Sequence, residues 1–503
     1  AVLDPHRADC PYPNRDLCGA AVAFMLVCAM EGEEPELLLE QYGDLVVLAT
    51  LADSVPLVGE NRTLVKLGMK ALAETRRPGL LALAEEAGLD LGREDTELVT
   101  FGLAPRINVT GRIGSVDLAV ELLLCEDEER AAQLAGEVNR LNGRRREMEA
   151  EVAADIKALA AREPAILHQR VLVFAGRGWH RGIIGITAAR MAERYGKPCI
   201  ILSTEDGEAR GSARSVGEYD MIAAIHRCGG LLTKYGGHPM AAGLTLPQEN
   251  VEAFTRAILR DAAERYPHMP LPTLDIDAVL SPEEATLDNI HLLQKLAPFG
   301  QGNPQPVLAL LDQPITAITP MGGGNHLRLG LGDAAEAVLF GTGPGGFPFG
   351  VGERVDCAVT LHSNVYNGKE RPQMQIAAVR PAGFDAAALA PYQAAYEALQ
   401  RGEEPLDVPP EDLTFTREDL SVVYRFLRRH SPCPDVPEGI TWRLGGASNH
   451  FRVLAALDTL RDLDLITQAD HGAGPVLEAP AVTEKSDLGD SATFQFLQQR
   501  LVK

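Results

Sequence analysis

With 503 residues, 46% hydrophobic and only 5% aromatic, the chain is long enough for roughly three or four domains with separate cores. A net charge of −23 argues against a protein that coats duplex nucleic acid over a broad face, and no apolar run reaches the length of a membrane span. Eight cysteines without a CxxC pair, and no signal-peptide pattern, exclude a disulfide framework or zinc knuckle and predict a reducing, cytoplasmic compartment.

The first predicted element is a helix over residues 19–30. Residues 44–52, DLVVLATLA, are continuously apolar and predict a buried parallel strand closed by Asp53. Ligands of open α/β sheets gather at the carboxyl ends of strands, so Asp53 is a candidate ligand-binding residue. A helix N-cap after the strand is the plain alternative. Residues 61–73 predict another helix, and residues 101–114, FGLAPRINVTGRIG, a glycine-bounded loop with two arginines, Arg106 and Arg112. A single long helix is predicted over residues 126–163. Leu134, Val138, Leu141, Met148, Val152, Ile156 and Leu159 recur there at three-, four- and seven-residue steps, with Arg144-Arg145-Arg146 interposed. At about 1.5 Å per residue it forms a rod of about 57 Å, able to join two lobes, and Pro164 stops it.

Three stretches then carry phosphate-binding chemistry. Residues 171–190 run from an apolar strand into Gly176-Arg177-Gly178-Trp179-His180-Arg181-Gly182 and on into a helix; Trp179 reads as packing rather than base stacking. Residues 209–216, ARGSARSV, alternate so that Ser212 and Arg214 project from one side of a strand, and a hydroxyl beside a guanidinium suits a phosphate. A surface ion pair is the bland alternative. Residues 231–246, LLTKYGGHPMAAGLTL, place Gly236 and Gly237 before His238. Paired glycines there predict a turn whose backbone N–H groups form an anion-binding concavity. Between Arg170 and Gly237 ten Lys/Arg face six Asp/Glu, so this region is mildly basic within an acidic chain.

Residues 266–273 predict a proline-bearing linker. Residues 296–307, LAPFGQGNPQPV, precede short strand-like runs with Gly/Asn turns up to Arg380, which predict a small antiparallel barrel; His362 and Tyr366 are its candidates for stacking on bases. From Gly383 onward the pattern is helical and ends in a helix plus a glycine-containing hairpin, as in a winged helix.

The glycine-rich strand-to-helix loop, ARGSARSV and GGHPMAAG, in this order, resemble the DHH-associated domain of the RecJ-type single-stranded-DNA exonucleases, members of the DHH phosphoesterase family. TLADSVPL around Asp53, NVTGR at residues 108–112, CPYPNR near the start and PFGQGNPQP are similar to further RecJ passages. The resemblance implies a multidomain α/β fold: residues 1–125 the end of a DHH domain, 126–163 a connecting helix, 164–265 the DHH-associated domain, 270–382 an OB-fold and 383–503 a winged-helix-like partner domain. It also implies that Asp53 ligates a catalytic metal, two Mn²⁺ or Mg²⁺ ions being expected in the intact enzyme, with His238 beside it among the catalytic residues. Asn108, Arg112, Ser212 and Arg214 would hold the terminal phosphate, and Gly236, Gly237 and His238 a phosphate next to the scissile bond. The chain contains no DHH triplet, and its DxD strings, Asp275-Ile276-Asp277 and Asp462-Leu463-Asp464, stand in the wrong domains. The metal site is therefore expected to be incomplete, with the first part of the DHH domain absent.

The implied activity is 5′→3′ hydrolysis of single-stranded DNA to mononucleotides in recombination and repair. The expected partner is a strand with a free 5′ end, and a helicase or single-strand-binding protein would dock on the tail of a monomeric enzyme. Two rivals are a small-substrate DHH phosphoesterase, which would need no barrel, and a non-catalytic strand-binding scaffold.

Overall fold

A computed structural model describes residues 2–501 apart from 267–268, 270–272, 334, 367–368, 406, 435, 471–474 and 481–485. The chain forms two compact units, one of Ala1–Thr273 with Gln294–Gln305 and one of Leu274–Leu293 with Pro306–Lys503.

The first unit opens with seven helices: α1 (Gly19–Glu31), α2 (Pro35–Ala52), α3 (Gly59–Ala73), α4 (Pro78–Ala87), α5 (Ala104–Ile113), α6 (Val116–Leu124) and α7 (Glu128–Arg162). Residues 44–52 are thus not a strand but the second half of α2. An apolar run reads alike for a strand or helix buried on two sides, and here the preceding residues, opened by Pro35 in the first turn, extend it to helical length. Its small residues permit the burial: a Cβ on Gly68 of α3 would lie 2.8 Å from the carbonyl oxygen of Gly43. The expected loop at 101–114 is also helical. Leu98–Leu103 make a π-helical turn that runs directly into α5, with Pro105 in the first turn, where a missing N–H is harmless.

Beyond α7 the unit changes character. Strands β1 (Leu172–Arg177), β2 (Cys199–Glu205), β3 (Glu208–Arg214), β4 (Lys234–His238) and β5 (Ala241–Pro247) form one sheet in the order β1-β2-β3-β5-β4, interleaved with helices α8 (Ile184–Tyr195), α9 (Met221–Arg227) and α10 (Val251–Arg265). Only β1–β2 is parallel. Alternation along the strands divides the apolar residues between two cores. Leu172, Phe174, Cys199 and Ile201 pack with Trp179, Ile184 and Ala188. Ile200, Leu202, Ala213 and Leu244 pack with Met221, Ile225, Phe254 and Ile258.

Residues 294–305, expected at the entry to the barrel, belong to this first unit. The carbonyl of Gln301 accepts from the Leu57 amide at 2.6 Å. Arg62 donates to the carbonyls of Ala297 (2.8 Å) and Pro298 (3.5 Å), and Thr96 to that of Phe299 (3.0 Å).

In the second unit a short strand β6 (Ala278–Val279) and helix α11 (Leu287–Gln294) precede β7 (Leu308–Met321), β8 (His326–Leu331), β9 (Ala335–Leu339), β10 (Arg354–Tyr366) and β11 (Lys369–Pro381). The order β7-β8-β9-β11-β10, with β10 pairing back to β7 and β9 parallel to β11, closes a five-stranded barrel of OB type. Leu310, Leu329, Val355, Val359 and Met374 fill it. The tail consists of α12 (Ala390–Gln400), α13 (Arg417–His430), β12 (Cys433–Pro434), α14 (Pro437–Leu444), α15 (His450–Asp462), β13 (Thr467–Asp470), β14 (Pro475–Glu478) and α16 (Ala492–Leu501). Helix–strand–helix–helix–hairpin, with β14 between β12 and β13, is the winged-helix order. The tail packs on the barrel, where Trp442 meets Phe349 edge to face and Arg443 donates to Glu353 at 2.8 Å. All eight cysteines are free, and no helix among the described residues is long and apolar enough to cross a membrane.

Candidate phosphate-binding site

Ser212 and Arg214 stand two residues apart on β3 and point to the face that α8 covers. Arg214 donates through Nη1 to Ser212 Oγ (3.3 Å) and to the Ala213 carbonyl (2.8 Å). The helix leaves room for them because position 185 is glycine: a Cβ there would sit 3.1 Å from Ser212 Oγ and 3.4 Å from Arg214 Nη2. Arg112, in the last turn of α5, reaches the same place and donates to the Gly182 carbonyl at 3.4 Å. Asn108, one turn earlier on α5, shares its face. Burial, and after it the Arg112 guanidinium, holds Arg214 below the ordinary arginine pKa. No carboxylate pairs with Arg112 or Arg214 among the described residues, so an anion placed between them would relieve their repulsion.

The loop before α8 assembles this corner. Gly178 has φ +73°, and a Cβ at Gly176 would fall inside the Trp179 ring, 2.2 Å from its nearest atom. Trp179 is buried as expected, and its Nε1 donates to Asp155 of α7 at 2.9 Å, tying the loop to the long helix. His180 Nδ1 accepts from the Gly182 amide at 3.1 Å, so this histidine holds the loop's own backbone.

The GGH sequence departs from expectation. Gly236 and Gly237 do not form a turn; they lie within β4, an exposed edge strand, and the turn falls at Pro239-Met240. Sequence cannot separate a glycine pair in a turn from one in a strand that must stay flat. The register gives these glycines another use. Ser212 lies opposite Gly243, which lies opposite Gly236; Arg214 lies opposite Ala241, which lies opposite His238. Directly opposed residues share a face, so two rungs run across three strands, with Arg214 at one end, His238 at the other and almost no side chain between. Two strand spacings set their backbones about 10 Å apart. Edge strand β4 also presents unpaired backbone N–H groups. Gly236, Ala241 and Gly243 of GGHPMAAG thus clear a floor, while Gly237 and Ala242 face the other side; the sequence signal for this was the small-residue run on both sides of the turn.

Asp53 is not at the end of a strand. It is the C-cap of α2, exposed, with its amide donating to the Ala49 carbonyl at 3.0 Å, and Ser54 after it has φ +52°. Among the described residues no three His, Cys, Asp or Glu side chains gather as a metal site. In the barrel, His362 Nε2 is 2.9 Å from Thr360 Oγ1, and the side chain of Tyr366 lies outside the described residues. Two features escaped the sequence reading: the strap of residues 294–305 beneath the Asp53 loop, and the space beside Arg145 and Arg146.

A mixed five-stranded sheet after a long connecting helix, followed by an OB barrel, defines the class of multidomain proteins that carry a DHH-associated domain. Residues 166–264 match the DHHA1 domain and residues 276–378 the RecJ OB domain. The single-stranded-DNA-specific exonuclease RecJ of Bacillus subtilis is 34% identical over 384 residues, 75% of this chain and 48% of that protein. RecJ of Dickeya dadantii is 31% identical over 408 residues, covering 75% and 69%. Crystal structures of RecJ from Thermus thermophilus in complex with Mg²⁺ and with Mn²⁺ superpose with TM-scores of 0.63 and 0.64 at 29% identity, covering 74% of this chain and 57% and 55% of theirs. The chain belongs to the RecJ family of single-stranded-DNA-specific exonucleases. It spans about half the length of the Bacillus subtilis relative.

Proposed function

We propose that this chain is the strand-holding portion of a metal-dependent exonuclease that degrades single-stranded DNA from its 5′ end to mononucleotides, in DNA recombination and repair. The observation that carries the reading is the pair of cleared rungs between Arg214 and His238, with Arg112 closing one end. Arg112, Asn108, Ser212 and Arg214 take the terminal 5′-phosphate, where charge-assisted hydrogen bonds from guanidinium groups fit a dianion. Gly236, Gly237 and His238 take the next phosphate and add positive potential where charge grows in the transition state. In this reading residues 1–125 end the DHH domain, 126–163 connect, 164–265 bind phosphates, 270–382 guide the strand, and 383–503 dock a protein partner. The enzyme works as a monomer in the cytoplasm.

Mg²⁺ or Mn²⁺ would polarise the scissile phosphate and supply the attacking hydroxide, as hard cations do in phosphodiester hydrolysis. The described residues do not fit that role alone: Asp53 offers one carboxylate with no companions gathered around it. Asp53 is therefore read as one member of a ligand set completed by other groups, and the chain by itself as catalytically incomplete. The same observation favours a second reading, a strand-binding scaffold without chemistry.

The test is affinity for a 3′-labelled oligothymidylate bearing a 5′-phosphate or a 5′-hydroxyl. The 503-residue chain should prefer the phosphorylated end by about ten- to hundredfold, the worth of roughly 1.5–3 kcal/mol of charge-assisted contact, and Arg214→Ala should erase most of that preference. Equal affinity of the unmodified chain for both ends would remove the terminal-phosphate pocket. Fusing a DHH-containing segment from a relative ahead of the chain separates the two readings. Hydrolysis that Asp53→Ala abolishes supports the enzyme; a well-folded, strand-binding but inert fusion supports the scaffold.

A further inference from the structure

The strand-end pocket makes no use of the arginine run at 144–146 on α7. Arg145 and Arg146, with Arg190 of α8, line a separate cavity of about 470 Å³ whose apolar wall includes Phe101 and Met191. Glu149 lies in its lining, buried, with Arg190 Nη1 2.7 Å from Oε1. That contact lacks hydrogen-bond alignment, so both carboxylate oxygens remain without a directed donor, and the buried Nε of Arg145 has no acceptor. Three guanidinium groups thus face one carboxylate in a space walled partly by hydrocarbon.

Phe101 is the second observation. It is 72% exposed, on the π-helical turn before α5, and contributes to this wall. Single π-helical turns within helices recur at functional sites because they re-aim side chains. An exposed aromatic ring beside guanidinium groups is the combination that takes a nucleotide: the ring stacks on any base, and the arginines hold a phosphate. The volume lies in the range of small-molecule sites. Burial lowers the Arg145 pKa; Glu149 opposes this, while Arg146, Arg190 and Arg112 add to it, a crowding of cations that an anion would ease.

We infer that this cavity is a nucleotide subsite, taking one nucleoside monophosphate unit with its phosphate on Arg145, Arg146 and Arg190 and its base on Phe101. The unit comes either from the bound strand or from a released mononucleotide. The inference rests on these residues and not on the strand-end pocket, which the experiment removes by working in the Arg214→Ala background.

The probe is dAMP, titrated calorimetrically into the 503-residue chain carrying R214A. Adding Arg146→Ala should weaken dAMP by about tenfold or more through loss of a charge-assisted contact. Adding Phe101→Ala should weaken dAMP comparably but leave inorganic phosphate binding unchanged, because only the base is affected. Both side chains are exposed, and phosphate binding by the Phe101 variant reports that the site is still folded. Because Arg190→Gln alone would strand the Glu149 charge, that position is tested as the pair E149Q/R190Q, which should also weaken dAMP. A 5′-hydroxyl oligothymidylate distinguishes the sources. If it weakens in parallel with dAMP, the strand occupies the cavity; if only dAMP weakens, a free mononucleotide does. Unchanged dAMP affinity in both the Arg146 and Phe101 variants overturns the proposal. If instead R214A itself leaves 5′-phosphate preference intact while the cavity variants act, the strand-end pocket fails and the cavity stands.

Discussion

A Cβ at Gly182 would lie 2.4 Å from the carbonyl oxygen of Arg112, so the loop before α8 can reach α5 only because that position carries no side chain. The same holds at Gly237, where a Cβ would lie 2.3 Å from the Ala241 carbonyl oxygen and φ is +149°. The charged residues of the site thus depend on glycines that let their backbones meet. A different residue-scale constraint operates in the tail. His450 is buried, its Nδ1 2.8 Å from Thr441 Oγ1 and its Nε2 3.1 Å from Gln393 Oε1, and burial pushes its pKa from 6.5 down to about 4. The folded state therefore holds the neutral ring while the unfolded chain binds a proton near pH 6.5. The contribution is fully present above that pH and is lost progressively as pH falls through 6.5 to about 4, amounting to about 3 kcal/mol. Thermal unfolding followed between about pH 7 and 4 should show the second unit losing stability more steeply in the unmodified chain than in His450→Gln. Identical pH slopes would mean that His450 is not the titrating group.

At the scale of elements, alternation was the most legible signal. Ser212 and Arg214 project together because a strand has period two, and the long helix announced itself by its apolar spacing. In the first helical layer α1 and α3 were legible, but α2 was not, because DLVVLATLA is apolar all round and its period gives no face. The strap at 294–305 was also hidden, since its partners Leu57, Arg62 and Thr96 lie far away in sequence and no local pattern encodes that pairing. Its geometry makes it a support for the loop that carries Asp53. A Cβ at Gly300 would lie 2.7 Å from Leu57 Cδ1, so the strap fits flush on the loop just after Asp53. Arg62→Ala removes the charged donor to the Ala297 and Pro298 carbonyls, a loss of roughly 1.5–3 kcal/mol. Amide hydrogen exchange at Leu57, whose N–H the strap holds, should then quicken by about ten- to hundredfold while amides of β2 keep their protection. Unchanged exchange at Leu57 would show that the strap is held by other contacts.

At the scale of the whole molecule, charge is unevenly distributed, and the tail's architecture bears on what it binds. From Asp385 to the end, nineteen acidic residues face eleven basic ones. Winged helices that read DNA commonly do so by laying an exposed third helix in a groove. In this tail that helix, α15, exposes only its last residue, the acidic Asp462, and its arginines are engaged: Arg452 donates to the Thr414 and Glu411 carbonyls, and Arg461 pairs with Asp458 at 2.9 Å. A winged-helix order thus comes with a third helix whose arginines are engaged, in keeping with the proposal that the tail docks a protein and does not read a DNA groove. The last turns of α13 are the contrary feature, since Arg425 and Arg429 are exposed there, while Arg428 is held by the Ala479 carbonyl at 2.8 Å. Deleting the tail would uncover Phe349 of the barrel and confuse the result, so charge removal is the cleaner measurement. Each phosphate contact on a single strand contributes about 0.7 to the slope of log affinity against log salt. The double variant R425A/R429A should leave that slope and the single-strand affinity unchanged. A slope smaller by about 1.4 would mean that two phosphate contacts had been lost and that the tail shares in gripping the strand.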